Sequence, residues 1–142
     1  MLCEQGCSMG TCEAGVCVID CTLPGSCATA DVICPANLPC RVECGELSCI
    51  KKVNCELSTA CTVLCSGDGS CHDEIKCGLG PCDVTCSGVN SCDRRTKCGT
   101  SCSCDVSCTG SGSCGEASEC PTGTPCRVGN GCTSQLTGCD RC

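Results

Sequence analysis

A short motif in which apolar and polar residues alternate recurs along the chain, with valine or isoleucine at its centre. Each central residue lies two positions after a cysteine, and all but the last lie two positions before another; they are Ile19, Val42, Val63, Val84, Val106 and Val128. Alternation with a period of two is typical of a β-strand with one buried face. The pattern therefore predicts a short strand at each motif, with cysteine, valine and cysteine facing the interior.

A second set of positions predicts a shorter strand in each repeat. They lie two residues before a cysteine and become more polar toward the C-terminus: Val32, Val53, Ile75, Thr96, Ser118 and Thr137. Turn-forming residues separate the two strands, as in segments 66–70, 87–91 and 109–113, and prolines precede the first strand at Pro39, Pro81 and Pro125. Because glycine and proline interrupt every segment, no helix is predicted.

The cysteines fall into four columns, and the first column repeats every 21–23 residues. The first column holds Cys17, Cys40, Cys61, Cys82, Cys104 and Cys126, and the second holds Cys21, Cys44, Cys65, Cys86 and Cys108. The third holds Cys27, Cys49, Cys71, Cys92, Cys114 and Cys132, and the fourth holds Cys34, Cys55, Cys77, Cys98, Cys120 and Cys139. A repeat of this length built as strand, turn, strand and turn is typical of one solenoid coil. The predicted fold is therefore all-β, a disulfide-stapled β-solenoid of about six coils with little regular structure outside its short strands.

The repeats predict one solenoid domain over residues 1–142. A degenerate repeat at 1–16 holds Cys3, Cys7 and Cys12, five full repeats follow at 17–125, and a second degenerate repeat occupies 126–142. Cys102 and Cys142 lie outside the columns. No signal peptide is recognisable before Cys3, and neither end of the sequence contains a recognisable polar cap. Uncapped solenoids associate through their ends, so we expect end-to-end self-association.

Composition explains why cysteine must hold the fold together. The chain has 28 cysteines in 142 residues, no aromatic residue and a net charge of −7. Such a chain has too few large apolar residues to form an ordinary core. Metal–thiolate clusters favour adjacent and closely spaced cysteines, whereas the usual gaps here are longer and contain fixed valines. Disulfides are therefore favoured over zinc or copper clusters, and they imply an oxidising compartment, which is outside the cell, on its surface or in the periplasm.

The bond pattern is not determined by the sequence, and two schemes are considered. In a flattened coil the second and third columns would pair, as in Cys65 with Cys71, and the first and fourth would pair, as in Cys61 with Cys77. That scheme leaves Cys3, Cys102, Cys132 and Cys142 to pair among themselves. A rival scheme joins the third column of one coil to the second column of the next. In both, the cysteines of the four columns from Cys17 to Cys120 form structural disulfides.

Charged residues alternate in sign from one coil to the next. One row carries Lys51, Asp73, Arg94 and Glu116, and the next carries Lys52, Glu74 and Arg95. Coils stacked in register, about 4.8 Å apart, would place each charge between opposite neighbours. We interpret this as control of register; the alternative is a solvated charged face whose order is accidental. A row of serines, namely Ser26, Ser48, Ser70, Ser91 and Ser113, fits the same stacking.

The search for chemistry predicts no catalytic residue, no metal site and no cofactor. The single histidine, His72, excludes a histidine pair, and the acidic group Asp68, Asp73 and Glu74 lacks the calcium-solenoid repeat. An acidic chain without aromatic residues is not expected to bind nucleic acid, and no apolar run reaches the length of a membrane span. Ice binding requires a regular threonine face, whereas the outward pairs Arg41/Glu43, Thr62/Leu64, Asp83/Thr85, Asp105/Ser107 and Arg127/Gly129 are mixed and charged.

The repeat from Cys82 to Cys92, followed by Lys97, Cys98 and Gly99, resembles the cysteine-rich repeat regions of secreted and lipoprotein-type bacterial proteins, particularly myxobacterial ones. The likeness covers residues 12–132. It implies an exported or surface protein and brings no active-site motif. We therefore expect a non-enzymatic extracellular structural protein, a rigid scaffold that could form the subunit of a surface filament. The alternative is an adhesion or ligand-binding module with an unidentified surface partner; metal storage and ice binding are weaker alternatives.

Overall fold

The computed structural model describes residues 3–99, 101, 104–116 and 119. They form a β-solenoid of about four turns, as the alternation and the repeat length predict. The elements in chain order are α1 (Cys3–Gly6), β1 (Thr11–Glu13), β2 (Val16–Cys21), β3 (Val32–Ile33), β4 (Pro39–Cys44), β5 (Val53–Asn54), β6 (Ala60–Cys65), β7 (Ile75–Lys76), β8 (Cys82–Cys86), β9 (Thr96–Lys97) and β10 (Cys104–Cys108).

Two sheets run along the solenoid, one for each strand of the repeat. The six-stranded sheet has the order β1-β2-β4-β6-β8-β10, and the four-stranded sheet has the order β3-β5-β7-β9. From β2 onward every pairing is parallel, and equivalent columns lie opposite each other, as Val42, Val63 and Val84 do in successive coils. The chain therefore returns to the same lateral position in each repeat. The predicted count of about six coils exceeds the four turns seen, and the degenerate repeat at 126–142 lies outside the described residues.

The interior consists of cysteine sulfur and small branched side chains. Each long strand alternates between buried and less buried positions, and its cysteine, valine and cysteine point inward as predicted. Val42, Val63, Val84 and Val106 have no exposed surface, and Ile75 on the opposite sheet is 1% exposed. Valine and cysteine are short, so the two sheets approach closely enough for sulfur to fill the remaining space between them.

The turn after each long strand is shaped by residues in the left-handed region of backbone space. The third-column cysteines Cys27, Cys49, Cys71, Cys92 and Cys114 all have φ between 51° and 54°. Glycine is needed earlier in the same turn, because a Cβ on Gly67 would lie 2.0 Å from the carbonyl carbon of Gly45 in the preceding coil. This turn therefore stacks backbone directly on backbone, and a side chain cannot be accommodated there.

The N-terminal segment departs from the repeat. One turn of helix, α1, was not predicted, and β1 pairs antiparallel with β2, with Cys12 opposite Cys17. Ala14 (φ 51°) and Gly15 (φ 80°) form the tight turn between these two strands. We refer to residues 3–15 as the N-terminal cap and to the parallel repeats from Val16 onward as the coil stack. The expectation that neither end is capped is wrong at this end, because β1 covers the edge of β2.

Among the described residues, no helix has the length and apolar character that crossing a membrane would require.

Candidate functional site: disulfide rows and a charged corner

Eleven disulfides join described cysteines, and nine of them lie in two rows along the coil stack. Row one links the second column to the third within a coil: Cys21–Cys27, Cys44–Cys49, Cys65–Cys71, Cys86–Cys92 and Cys108–Cys114. Row two links the fourth column to the first column of the next coil: Cys34–Cys40, Cys55–Cys61, Cys77–Cys82 and Cys98–Cys104. The other two, Cys3–Cys12 and Cys7–Cys17, belong to the N-terminal cap.

Row one agrees with the flattened-coil scheme, including the Cys65–Cys71 bond, so the rival scheme that joins the third column to the second column of the next coil is wrong. The predicted bond between Cys61 and Cys77 is also wrong: Cys61 pairs with Cys55, and Cys77 pairs with Cys82. Cys3 pairs with Cys12, so the expectation that it pairs with one of the other leftover cysteines is wrong as well. Cys102, Cys120, Cys132 and Cys142 lie outside the described residues.

Cys77 pairs with Cys82 and not with Cys61 for a simple physical reason. The fourth-column cysteine of one coil lies at the same corner as the first-column cysteines of its own coil and of the next. The tight turn into the next coil brings Cys77 and Cys82 to a Cα–Cα distance of 5.9 Å across a sequence separation of 5. A bond back to Cys61 would close a much longer loop, which costs more chain entropy in forming. The bond between Cys77 and Cys82, which closes the shorter loop, is therefore favoured.

Sulfur atoms of neighbouring coils also approach one another closely. Four groups of three Sγ atoms lie within 4.8 Å of one another, and each group combines a bonded pair with one cysteine from the adjacent coil. Cys55 Sγ lies 3.5 Å from Cys34 Sγ, and Cys77 Sγ lies 4.0 Å from Cys104 Sγ. All the sulfurs in these groups are disulfide sulfurs, whereas a metal would require thiolates. The spacing therefore describes stacked covalent bonds.

The charged corner lies beside the four-stranded sheet and contains the predicted alternation. Arg94 and Arg95 both contact Glu116 of the next coil, at 3.0 Å and 3.1 Å. Lys97 pairs with Glu74 of the preceding coil at 3.2 Å. These residues line an open groove of about 570 Å³. Its positive and negative groups neutralise one another, which fits register control better than recognition of a charged ligand.

The register of the short strands extends this alternation by one coil. Because Val32 lies opposite Val53, the residue before it, Asp31, lies beside Lys52. Asp31 Oδ1 accepts a hydrogen bond from the Lys52 backbone N–H at 3.2 Å. The repeat that contains Asp31 is one residue longer before this strand, and this insertion hid the correspondence in the sequence.

Ion pairs and hydrogen bonds shift the pKa values of three charged groups. Hydrogen bonds from Arg94 and Arg95, with their positive charge, hold the pKa of Glu116 below its ordinary value, and the same contact raises the pKa of Arg94. On the outward face of the six-stranded sheet, hydrogen bonds from the Thr22 hydroxyl and backbone N–H lower the pKa of Asp20. Arg94 and Asp20 are exposed and Glu116 is partly exposed, so solvent screens their contributions to stability.

The other acidic and histidine candidates serve local structure. Asp68 Oδ1 accepts a hydrogen bond from the Val89 backbone N–H in the next coil at 3.0 Å. Asp73 Oδ1 accepts one from the Glu74 backbone N–H at 2.7 Å. His72 Nδ1 lies 3.7 Å from a carboxylate oxygen of Asp93, at an exposed position. These contacts join or shape turns.

The serine row has a role that the sequence did not indicate. The hydroxyls of Ser26, Ser48, Ser70 and Ser91 donate to the carbonyl three residues earlier in their own turn, at 2.6–2.8 Å. Ser48, Ser70 and Ser91 have no exposed surface. In these three serines the hydroxyl thus forms a local hydrogen bond where water has no access, while the serine backbone carbonyl accepts from the third-column cysteine of the next coil, as Ser48 does from Cys71.

Comparisons of this chain with family models, curated proteins and solved structures return no match.

Proposed function

We propose that this protein is a non-enzymatic extracellular structural protein, a rigid rod whose function is to resist mechanical load, unfolding and proteolysis. One observation carries the proposal: the described coils between Cys34 and Cys104 are closed at their corners by short disulfides. The backbone between those corners is paired in register with the coils on either side. Deformation of one coil therefore requires the breaking of covalent bonds or of two ladders of hydrogen bonds.

The distribution of charge supports the same proposal. Arg94, Arg95 and Lys97 engage carboxylates of adjacent coils. An enzyme or transport protein would place such groups where a ligand could pair with them. In a rod, pairing from coil to coil opposes slippage, because a shift of one coil brings like charges together.

The dense disulfides indicate an oxidising environment. We propose secretion or display on the cell surface as the specific location. There, resistance to proteases is an advantage, and short cross-linked loops with buried sulfur resist both unfolding and cleavage.

Single-molecule force spectroscopy tests the proposal directly, with the chain pulled between its ends. We expect the oxidised rod to resist extension until high force, and then to extend only by the segments between its disulfide-closed loops. The same molecules treated with a phosphine reductant should extend much further at lower force. Extension at low force with all disulfides intact would contradict a load-resistant scaffold.

We also propose that the rods self-associate end to end, as the repeat suggests. The N-terminal cap restrains this association, because the antiparallel strand β1 offers only three residues at the edge that a parallel coil would otherwise extend. Electron microscopy of the purified protein tests the proposal: short or long filaments support it, and dispersed particles alone at high concentration overturn it.

An adhesion module is the second candidate, because one corner exposes apolar side chains. Leu57 and Leu79 are 68% and 71% exposed and lie in the turns before neighbouring strands of the six-stranded sheet. Capture of the protein on an apolar surface, and its loss in a variant with Leu57→Ser and Leu79→Ser, would favour this function over the purely structural one. Equal capture of the two proteins would remove this candidate.

A further inference from the structure

We propose that stacked coils exchange their disulfide bonds, so that a coil lacking its own bond takes one from the coil beside it. The observation behind this proposal is the spacing of sulfurs between coils. Each group of three Sγ atoms within 4.8 Å brings the two sulfurs of one disulfide next to a sulfur of another: Cys34 with Cys55–Cys61, Cys44 with Cys65–Cys71, Cys65 with Cys86–Cys92, and Cys77 with Cys98–Cys104.

The reaction requires a thiolate next to a disulfide sulfur, and the parallel stack supplies this arrangement in advance. If Cys77 is a free thiol, it loses its proton and attacks Cys104 Sγ, which lies 4.0 Å away. The Cys77–Cys104 bond forms, the Cys98–Cys104 bond breaks, and Cys98 leaves as the thiolate and regains a proton. The number of disulfides is unchanged, so no external oxidant or reductant is consumed.

In row one the sulfur groups connect three consecutive bonds. A free thiol at Cys86 can attack Cys65 and release Cys71, and Cys71 can then attack Cys44 and release Cys49. These sulfurs have no exposed surface, so an external thiol cannot reach them directly. Exchange between neighbours is therefore a route by which a bond missing from the interior, during oxidative folding or after damage, can be replaced from within the rod.

The structure contains an asymmetry that makes the proposal testable. Two bonds of row two have one sulfur in a group with the bond of a neighbouring coil and one sulfur outside it: Cys77 belongs to a sulfur group and its partner Cys82 does not, and Cys34 belongs to one whereas Cys40 does not. Removal of either cysteine from a pair deletes the same disulfide and leaves one thiol. Only the identity of the surviving sulfur differs.

The experiment compares Cys82→Ser, which frees Cys77, with Cys77→Ser, which frees Cys82. Each full-length protein is oxidised, held at pH 8 or above so that part of the thiol is ionised, quenched with acid, denatured and alkylated. Mass spectrometry of peptides then locates the label. We expect label from Cys77 to be shared with Cys98 or Cys104, whereas label on Cys82 stays in place. The difference in migration should be about tenfold or more, since exchange depends on proximity.

Label that stays on Cys77, migration that is equal in the two variants, or label scattered beyond the sulfur group would each overturn the proposal. A second pair makes the test independent of the folding of any one variant. Cys40→Ser frees Cys34, which should pass its label to Cys55 or Cys61, and Cys34→Ser frees Cys40, which should keep it. Faster migration at higher pH is expected in the first member of each pair only, because the thiolate is the attacking species.

Discussion

The N-terminal cap and the coil stack use disulfides in different ways. In the cap, Cys3–Cys12 ties the helical turn to β1, and Cys7–Cys17 ties the segment between them to the first coil, across separations of 9 and 10 residues. In the stack, each bond spans 5 or 6 residues, and its sulfurs fill the space between two parallel sheets. The Cys3–Cys12 bond of the cap cross-links a partly buried site, whereas a bond of the stack such as Cys65–Cys71 both cross-links the chain and fills the core. The comparison separates the stability that a disulfide provides by closing a loop from the stability that it provides by filling the core.

Removal of one disulfide from each region should give the largest effect. Chain entropy alone assigns about 2.2 kcal/mol to the six-residue loop of Cys65–Cys71 and about 2.6 kcal/mol to the nine-residue loop of Cys3–Cys12. The interior sulfurs also leave a cavity when truncated. We therefore expect the double change Cys65→Ala and Cys71→Ala to cost about 4 kcal/mol, more than Cys3→Ala with Cys12→Ala.

Guanidinium unfolding of the two double variants, with the other disulfides intact, measures this difference. Each double change removes both sulfurs of one disulfide, so it leaves no cysteine of the described pairs without its partner. A larger loss for the cap variant would mean that only loop closure matters and that sulfur does not act as the core.

The two regions also contain glycines that are needed for different reasons. Gly67 in the stack has backbone of the preceding coil 2.0 Å from the position of a Cβ, whereas Gly15 in the cap has a φ of +80° and no atom within 4 Å. We expect Gly67→Ala to cost about 3 kcal/mol because coils must separate, and Gly15→Ala about 1 kcal/mol from backbone conformation alone. Thermal unfolding followed by circular dichroism compares them; equal losses would exclude close stacking at this turn.

A third comparison predicts a gain in stability. Leu47 in the stack and Ala14 in the cap both have φ of 51°, a region in which asparagine is better tolerated than leucine or alanine. The position that matches Leu47 in another coil is occupied by Asn90, which has φ of 55°. Leu47→Asn and Ala14→Asn should each stabilise the protein by about 0.5–1 kcal/mol. A loss of stability for Leu47→Asn would indicate that the half-exposed Leu47 side chain makes a stabilising contact, and that losing this contact outweighs the relief of backbone strain.

The smallest expected effect concerns the charged corner. The pKa of Glu116 is lowered in the folded protein, so its contribution to stability is present above the ordinary glutamate pKa of about 4.3 and is lost as the pH falls through the lower folded value. Glu116→Gln should therefore reduce stability slightly at neutral pH and not at acid pH, because solvent screens this ion pair. Glu13→Gln in the cap is a matched control, because Glu13 forms no ion pair with any described residue. Unfolding measured at low and high salt should separate the two, because only the Glu116 effect should depend on salt.

The repeat architecture could be predicted because its two signals are local and frequent. Alternation around Val63 and Val84 fixes which residues face inward, and the spacing of cysteines fixes the coil length. The pairing of Cys77 could not be predicted this way, because a fourth-column cysteine and the first-column cysteines of two coils meet at one corner, and only the turn decides between them. The cap was also missed: Cys3, Cys7 and Cys12 resemble a shortened coil, and the hairpin depends on a two-residue turn at Ala14 with no strong asparagine–glycine signal.

Side-chain roles in the turns were predicted less well than the strands. The alternating charges were found because opposite charge is visible in sequence. The left-handed backbone of Cys71 and the hydroxyl bond of Ser70 were not found, since cysteine and serine have no strong preference that would reveal either. Both depend on how one coil lies against the next.

Mapping of the disulfides by mass spectrometry, after alkylation of the unreduced protein in denaturant and proteolysis under acid conditions that prevent exchange, tests the central claim most directly. The structure predicts peptides that join Cys55 to Cys61, Cys65 to Cys71 and Cys77 to Cys82, with no alkylated cysteine among them. A peptide that joins Cys61 to Cys77, or extensive alkylation of these cysteines accompanied by bound zinc, would contradict a rod whose interior is built from stacked disulfides.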